Sequence, residues 1–139
     1  MKKMFFVLFV LFSKPIMAQE AHNLTITVSG YGSLKGTVFI AVYNSAETYM
    51  KLSKVALWGV IKPTAYTVSY TFQKVPNGAY AATVFYDENG NGKLDKNILG
   101  VPTEKSGFSN NVKATFGPAK FDKVKFIHNN DQQIAIKVE

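Results

Sequence analysis

Cysteine is absent from the 139 residues. No disulfide can staple the fold, no thiolate can act as nucleophile or metal ligand, and no cysteine is available to carry a lipid anchor. Histidine is nearly absent as well. His22 and His128 stand far apart in the chain, and neither has a second His, Cys or acidic pair at zinc spacing. Each reads as a surface or strand-end residue. Long apolar runs are also missing. The longest, residues 4–12, has nine residues, against the roughly 20 a helix needs to cross a bilayer. The net charge is +7 but contains no dense basic run, which excludes nucleic acid as a partner. There is no internal repeat.

What is present begins with an export signal. Lys2 and Lys3 precede the apolar run, and Ile16-Met17-Ala18 follows it, the layout of a signal peptide cleaved after Ala18. Residues 1–18 contain Lys2, Lys3 and Lys14 and no acid, so the remainder carries a net charge of +4. The expected product is an exported, periplasmic or secreted protein with one domain at residues 19–139. Without disulfides, its stability must come from packing, helped at most by a bound ion.

Within that domain, period-2 alternation dominates. Leu24, Ile26 and Val28 alternate with Thr25, Thr27 and Ser29, and Tyr66, Val68, Tyr70 and Phe72 with Thr67, Ser69, Thr71 and Gln73. Both stretches predict half-buried strands. Residues 37–43 are apolar on both faces and predict a central strand, and residues 80–86 predict another strand that runs straight into Asp87. Residues 30–36, rich in glycine, predict a hairpin connection. They lack the Gly-Lys-Ser/Thr ending of a phosphate loop. Asn44-Ser45-Ala46-Glu47 has the residue types of a capping box and predicts a short helix through Tyr49, Met50 and Leu52, before a strand at 55–61. Three short strands are expected around Val112–Ala114–Phe116, Val124–Phe126 and Ile134–Ile136–Val138. About seven to eight strands, one short helix and no strand–helix alternation predict an all-β antiparallel sandwich.

One stretch carries chemistry: Asp87-Glu88-Asn89-Gly90-Asn91-Gly92-Lys93-Leu94-Asp95. Calcium takes six to eight oxygens, and a short loop supplies them when alternate residues point inward and a glycine allows a sharp turn. Asp87, Asn89 and Asn91 fall at loop positions one, three and five, Gly92 at six, Lys93 at seven for its backbone carbonyl, and Asp95 at nine. Position twelve, where a bidentate glutamate belongs, is Ile98. Glu104 is the next acid and would have to be folded back by Gly100-Val101-Pro102. So few charges predict weak binding, about 10⁻⁴–10⁻³ M. The competing reading is a metal-free turn, because Asn-Gly pairs and self-capping Asp and Asn form turns unaided.

Catalysis finds little support. Ser109, in Gly107-Phe108-Ser109-Asn110-Asn111, lacks the second glycine of a nucleophile elbow. A hydrolase using Asp87, Asp95 and Glu104 would hold its acids on one glycine-rich loop, poorly fixed for the task. A carbohydrate- or envelope-binding module is the stronger rival. Trp58 and seven tyrosines are present, and all but Tyr31 and Tyr49 are assigned to the core. Phe108 and Asn110, beside the ion candidate, are the candidate ligand contacts, and cell-envelope polysaccharide or protein is the expected partner class. A structural or accessory role in the envelope is the third possibility.

Several of these stretches act together as a motif. Residues 72–80 run into 87–95, then into Leu99-Gly100-Val101-Pro102-Thr103-Glu104, residues 107–111, Gly117-Pro118 and Phe121-Asp122. Over nearly all of residues 19–139 this resembles the exported bacterial family called domain of unknown function 2141. The resemblance implies a small exported β-sandwich and no particular reaction. Pro76, Gly78 and Tyr80 are also similar to the turn of transthyretin-like and collagen-adhesin B-type domains, some of which carry Asp/Asn-rich calcium loops.

Overall fold

The computed structural model describes residues 19–139; the signal segment read at 1–18 lies outside the described residues. Eight strands form two sheets: β1 (Ala21–Ser29), β2 (Thr37–Tyr43), β3 (Leu57–Ile61), β4 (Thr67–Pro76), β5 (Gly78–Asp87), β6 (Ser106–Phe108), β7 (Phe126–His128) and β8 (Gln132–Lys137). The first sheet runs β4-β1-β8. The second runs β3-β2-β5-β6, with β7 pairing the start of β5. The fold is an all-β sandwich. All of its pairings are antiparallel except β1 with β8, where Leu24 to Ser29 run parallel to Gln132 to Lys137.

The alternation legible in the sequence makes the core. Leu24, Ile26 and Val28 of β1 meet Val38, Ile40 and Val42 of β2 and Tyr80, Ala82, Val84 and Tyr86 of β5, with Phe72, Ile136 and Val138 closing the sides. Burying a side chain of this kind is worth about 1.5–3 kcal/mol, and the sequence has no cysteine to add a disulfide. Beyond β8, the N–H of Glu139 donates to the carbonyl of Ser106 and that of Val138 to Ser29. The chain end thus joins the two sheets along one side.

Several expectations are corrected. Residues 30–36 are a crossing between sheets, not a hairpin, because Tyr31 turns inward and stacks on Tyr86 with ring centroids 5.3 Å apart. Tyr31 is therefore core, 2% exposed. Its hydroxyl donates to the carbonyl of Ala65, and Tyr86 ties down the same loop by donating to Ser33 O and accepting from Gly36 N, both at 2.8 Å. Gly36 leaves no room for a side chain, since a Cβ there would lie 2.4 Å from the Asp87 carbonyl.

The helix expected after Asn44 is a single turn. Ser45 caps it through Thr48 N (3.3 Å) and Tyr49 N bonds Ser45 O (3.1 Å), but Met50 takes φ +62° and ends it. A 3₁₀ turn follows at Leu52–Lys54. The strand expected around Val112 to Phe116 does not form. The Asn111 side chain already holds that edge of β8, accepting Lys137 N at 2.8 Å and donating to Ala135 O at 3.2 Å, and Phe116 is fully exposed. Among the described residues the only α-helical turn is α1 (Phe121–Val124), where part of a strand was expected. His128, read as a surface or strand-end residue, ends β7 but is fully buried, because pairing with Gly78 turns its ring inward against Tyr80.

Candidate metal centre

β5 delivers Asp87 to one end of the sandwich, where it pairs with Thr37 at the start of β2. Asp87 is 1% exposed, and its carboxylate accepts three backbone amides. Oδ1 accepts the N–H groups of Gly90 (2.7 Å) and Asn91 (3.2 Å), and Oδ2 accepts that of Gly92 (2.7 Å). Three charge-assisted bonds from backbone amides compensate the burial of the charge. Gly92, at φ +75°, takes the left-handed conformation that wraps the chain around this carboxylate.

The amides of Asn89 and Asn91 repeat the motif one step outward. Their Oδ1 atoms accept Asn91 N (3.1 Å) and Lys93 N (2.9 Å), and their Nδ2 groups donate to the carboxylate of Asp95. Glu104 closes the loop. Its Oε1 accepts Glu88 N at 2.9 Å and its Oε2 accepts Asp95 N at 3.1 Å.

What folds Glu104 back is a rigid finger between Asp95 and Thr103. Thr103 N bonds Asp95 O, Lys96 pairs with Pro102, and Asn97 organises the tip. Ile98, standing where a closing glutamate belongs, is at that tip and fully exposed.

The structure thus gathers Asp87, Asn89, Asn91, Asp95 and Glu104 on one loop, with Lys93 exposed beside them. It does not gather them into a ready-made cage: among the described residues, no three His, Cys, Asp or Glu side chains converge to hold a metal ion. The Nδ2 groups of Asn89 and Asn91 stand against Asp95 where a cation would draw oxygens. An ion seated there would require both carboxamides to rotate and present Oδ1.

The other candidate residues serve different ends. Asn110, at φ +61°, donates its Nδ2 to the carbonyls of Lys123 and Lys125. Phe108 is half-buried on β6 and lines a shallow groove of about 480 Å³ with Val112, Lys113, Lys137 and Glu139. Ser109 is fully buried, taking Ala82 N at 3.0 Å and donating to Val124 O. It fills the gap on β5 between the part paired with β6 and the part paired with β7.

Two features went unread in the sequence. The histidines lie together, ring centroids 6.2 Å apart, each with Nε2 buried and without a partner. The second is an aromatic cluster outside the core: Phe39 stacks on Phe85 at 4.9 Å and meets Trp58 at 5.7 Å, and Trp58 is 44% exposed. Its signal was the apolar outer face of β2, read as buried cover.

No curated protein and no solved structure matches this chain. One family model does, across residues 26–136, a span that runs from β1 into β8 and takes in the whole loop and its finger. On that match the chain belongs to the DUF2141 family, described as an uncharacterized protein conserved in bacteria.

Proposed function

We propose that this is an exported, non-catalytic domain whose loop at residues 87–104 is a calcium clamp. One observation carries the reading. Glu104 bridges the amides of Glu88 and Asp95, so a carboxylate remote in sequence completes the Asp-x-Asn-x-Asn-Gly half-loop. Asp87, Asn89, Asn91, Asp95 and Glu104 would be the side-chain ligands and Lys93 the carbonyl ligand. The ion would lock the finger to the end of β5 as a rigid structural element. The non-catalytic reading is supported by the same geometry: Asp87, Asp95 and Glu104 each hold loop amides rather than lining a cleft.

Differential scanning calorimetry tests it. Millimolar calcium should raise the melting temperature, in the ~10⁻⁴–10⁻³ M affinity class, and Asp95→Asn should remove most of that shift. Asp87→Ala should remove it too, but also breaks three backbone bonds, so Glu104→Gln serves as the milder companion. No calcium response in the unmodified protein would leave the loop a self-capped turn.

A second reading, binding of envelope polysaccharide, is favoured by the exposed Trp58 beside Phe39 and Phe85. Retention on peptidoglycan or polysaccharide arrays that is lost in Trp58→Ala would support it; equal retention of both proteins would not.

A further inference from the structure

We infer that Asn89-Gly90 and Asn91-Gly92 are deamidation sites that the Asp87 carboxylate holds closed, whether or not the loop takes an ion. An asparagine loses its amide when the backbone nitrogen of the next residue attacks its Cγ. Glycine leaves that nitrogen most open, having no side chain in the way. The loop pairs are exposed, so water reaches them. Beyond the chain neighbours, no atom lies within 4 Å of where a Cβ would stand on Gly90 or Gly92. That leaves room for the five-membered ring the reaction forms.

What the pairs lack is a free nitrogen. Gly90 N donates to Asp87 Oδ1 and Gly92 N to Asp87 Oδ2, both at 2.7 Å. Attack requires the N–H to give up its proton, and the anion formed would face a carboxylate across that distance. Asp87 is buried, so little of the repulsion is screened. The freed electron pair would also lie along the old N–H direction, toward Asp87 and away from the asparagine Cγ.

Where a glycine escapes, water is the only co-reactant. At Asn91 the Gly92 nitrogen bonds to Cγ and the Cγ–Nδ2 bond breaks. Nδ2 leaves as ammonia, carrying the proton that Gly92 gave up. Water then opens the succinimide at either carbonyl, leaving aspartate or isoaspartate. Either product removes the Nδ2 donor from both Asp95 oxygens, each now 2.9 Å away, and sets a second carboxylate against the first. Asp95 N also holds Glu104 at 3.1 Å, so the modification loosens the loop from its closing glutamate.

Incubation in EDTA at mildly alkaline pH tests this apart from the ion, with aspartate and isoaspartate measured by peptide mass spectrometry. In the folded protein, conversion at Asn89 and Asn91 should be slower than in the urea-unfolded chain by roughly tenfold or more, the effect of a charge-assisted bond on a rate. Asp87→Asn keeps the size of the side chain and one acceptor oxygen. That oxygen can hold Gly90 and Asn91, while the new amide group meets Gly92 donor to donor. Conversion should therefore speed up at Asn91 more than at Asn89. It should not change at Asn77-Gly78, the pair outside the loop, where Asn77 N bonds Glu20 O at 3.1 Å. A rise at Asn77 as well would mean that the variant has lost its fold. Hydrogen exchange of the unmodified protein then decides, with the Gly90 and Gly92 amides expected to be protected. Folded-state conversion at the urea rate, unprotected exchange at both glycines, or slower conversion in a folded Asp87→Asn overturns the inference.

Discussion

The two sheets present the same kind of face to the core and opposite faces to the outside. On the first sheet the outer residues complete one another's hydrogen bonds. Thr25 Oγ1 lies 2.8 Å from Thr71 Oγ1, Thr27 Oγ1 the same distance from Ser69 Oγ, and Gln133 donates to Thr27 at 2.8 Å. On the second sheet the corresponding positions are Phe39, Ala41 and Tyr43 of β2, Trp58 and Val60 of β3, and Phe85 of β5. A polar outer face is at rest in water; an apolar one must be covered. Half of it is: Tyr49 packs edge-on against Tyr43 at 5.5 Å and against Phe121 at 5.7 Å, bringing α1 and the 44–54 segment over that end. The Phe39–Phe85–Trp58 end is left to cover itself. Inner faces therefore set the fold, while the outer faces are free to differ.

The sharpest break in the symmetry is at the edge of the second sheet. β5 has a split partner there, and one buried side chain bridges the gap. Ser109→Ala leaves Ala82 N and Val124 O unpaired in the interior, an expected loss of about 2–4 kcal/mol in urea denaturation. If alanine cost under about 0.5 kcal/mol, the bridge would be incidental.

Next in size is the aromatic face itself. Phe39→Ala removes a half-buried ring stacked between Phe85 and Trp58, and should cost about 2 kcal/mol, less than a fully buried phenylalanine. Trp58 is the only tryptophan, so its emission should move to the red in the same variant. A loss no greater than that of a substitution on the polar face would mean the cluster packs too loosely to matter.

This contrast also marks how far the sequence can be read. β1, β4 and β8 alternate cleanly because one face is wet, and their inward residues are legible. β2 is apolar on both sides, which predicts cover on both; that holds for Tyr43 but not for Phe39, since the cover comes from segments remote in sequence. β6 and β7, at three residues each, carry no periodicity and exist only through pairing with β5. In the loop, Asp87 to Asp95 is a local pattern and could be read directly. The return of Glu104 depends on the finger, whose stiffness comes from Asn97, a residue with no special spacing.

A smaller effect of opposite sign comes from the covered end. The hydroxyl of Tyr49 is buried without a partner, and an unmade bond costs about 1 kcal/mol or more. Tyr49→Phe should therefore raise stability at neutral pH by about 1 kcal/mol. Burial, and then the neighbouring Tyr43, push the Tyr49 pKa up to about 12 from 10.0. The raised folded-state value means its contribution is intact below pH 10 and is lost as the pH climbs from 10 to 12. Thermal melts across that window should fall more steeply for the unmodified protein than for Tyr49→Phe. Tyr31, Tyr43 and Tyr80, also raised by burial, keep the variant's slope from vanishing.

The smallest effect belongs to the polar face and decides whether the comparison is sound. Thr27 has hydroxyl contacts to Ser69 and Gln133, more bonds than any aromatic on the other side makes. Yet the groups are exposed, and water replaces a lost partner at nearly equal free energy. Thr27→Val keeps the β-branched shape a strand favours and should change stability by no more than about 0.5 kcal/mol. Thermal melts of Thr27→Val and Phe39→Ala under one set of conditions set the two faces side by side. A loss at Thr27 approaching that at Phe39 would show that the threonine ladder acts as a cooperative network rather than as a wetted surface, and the contrast between the two faces would lose its physical basis.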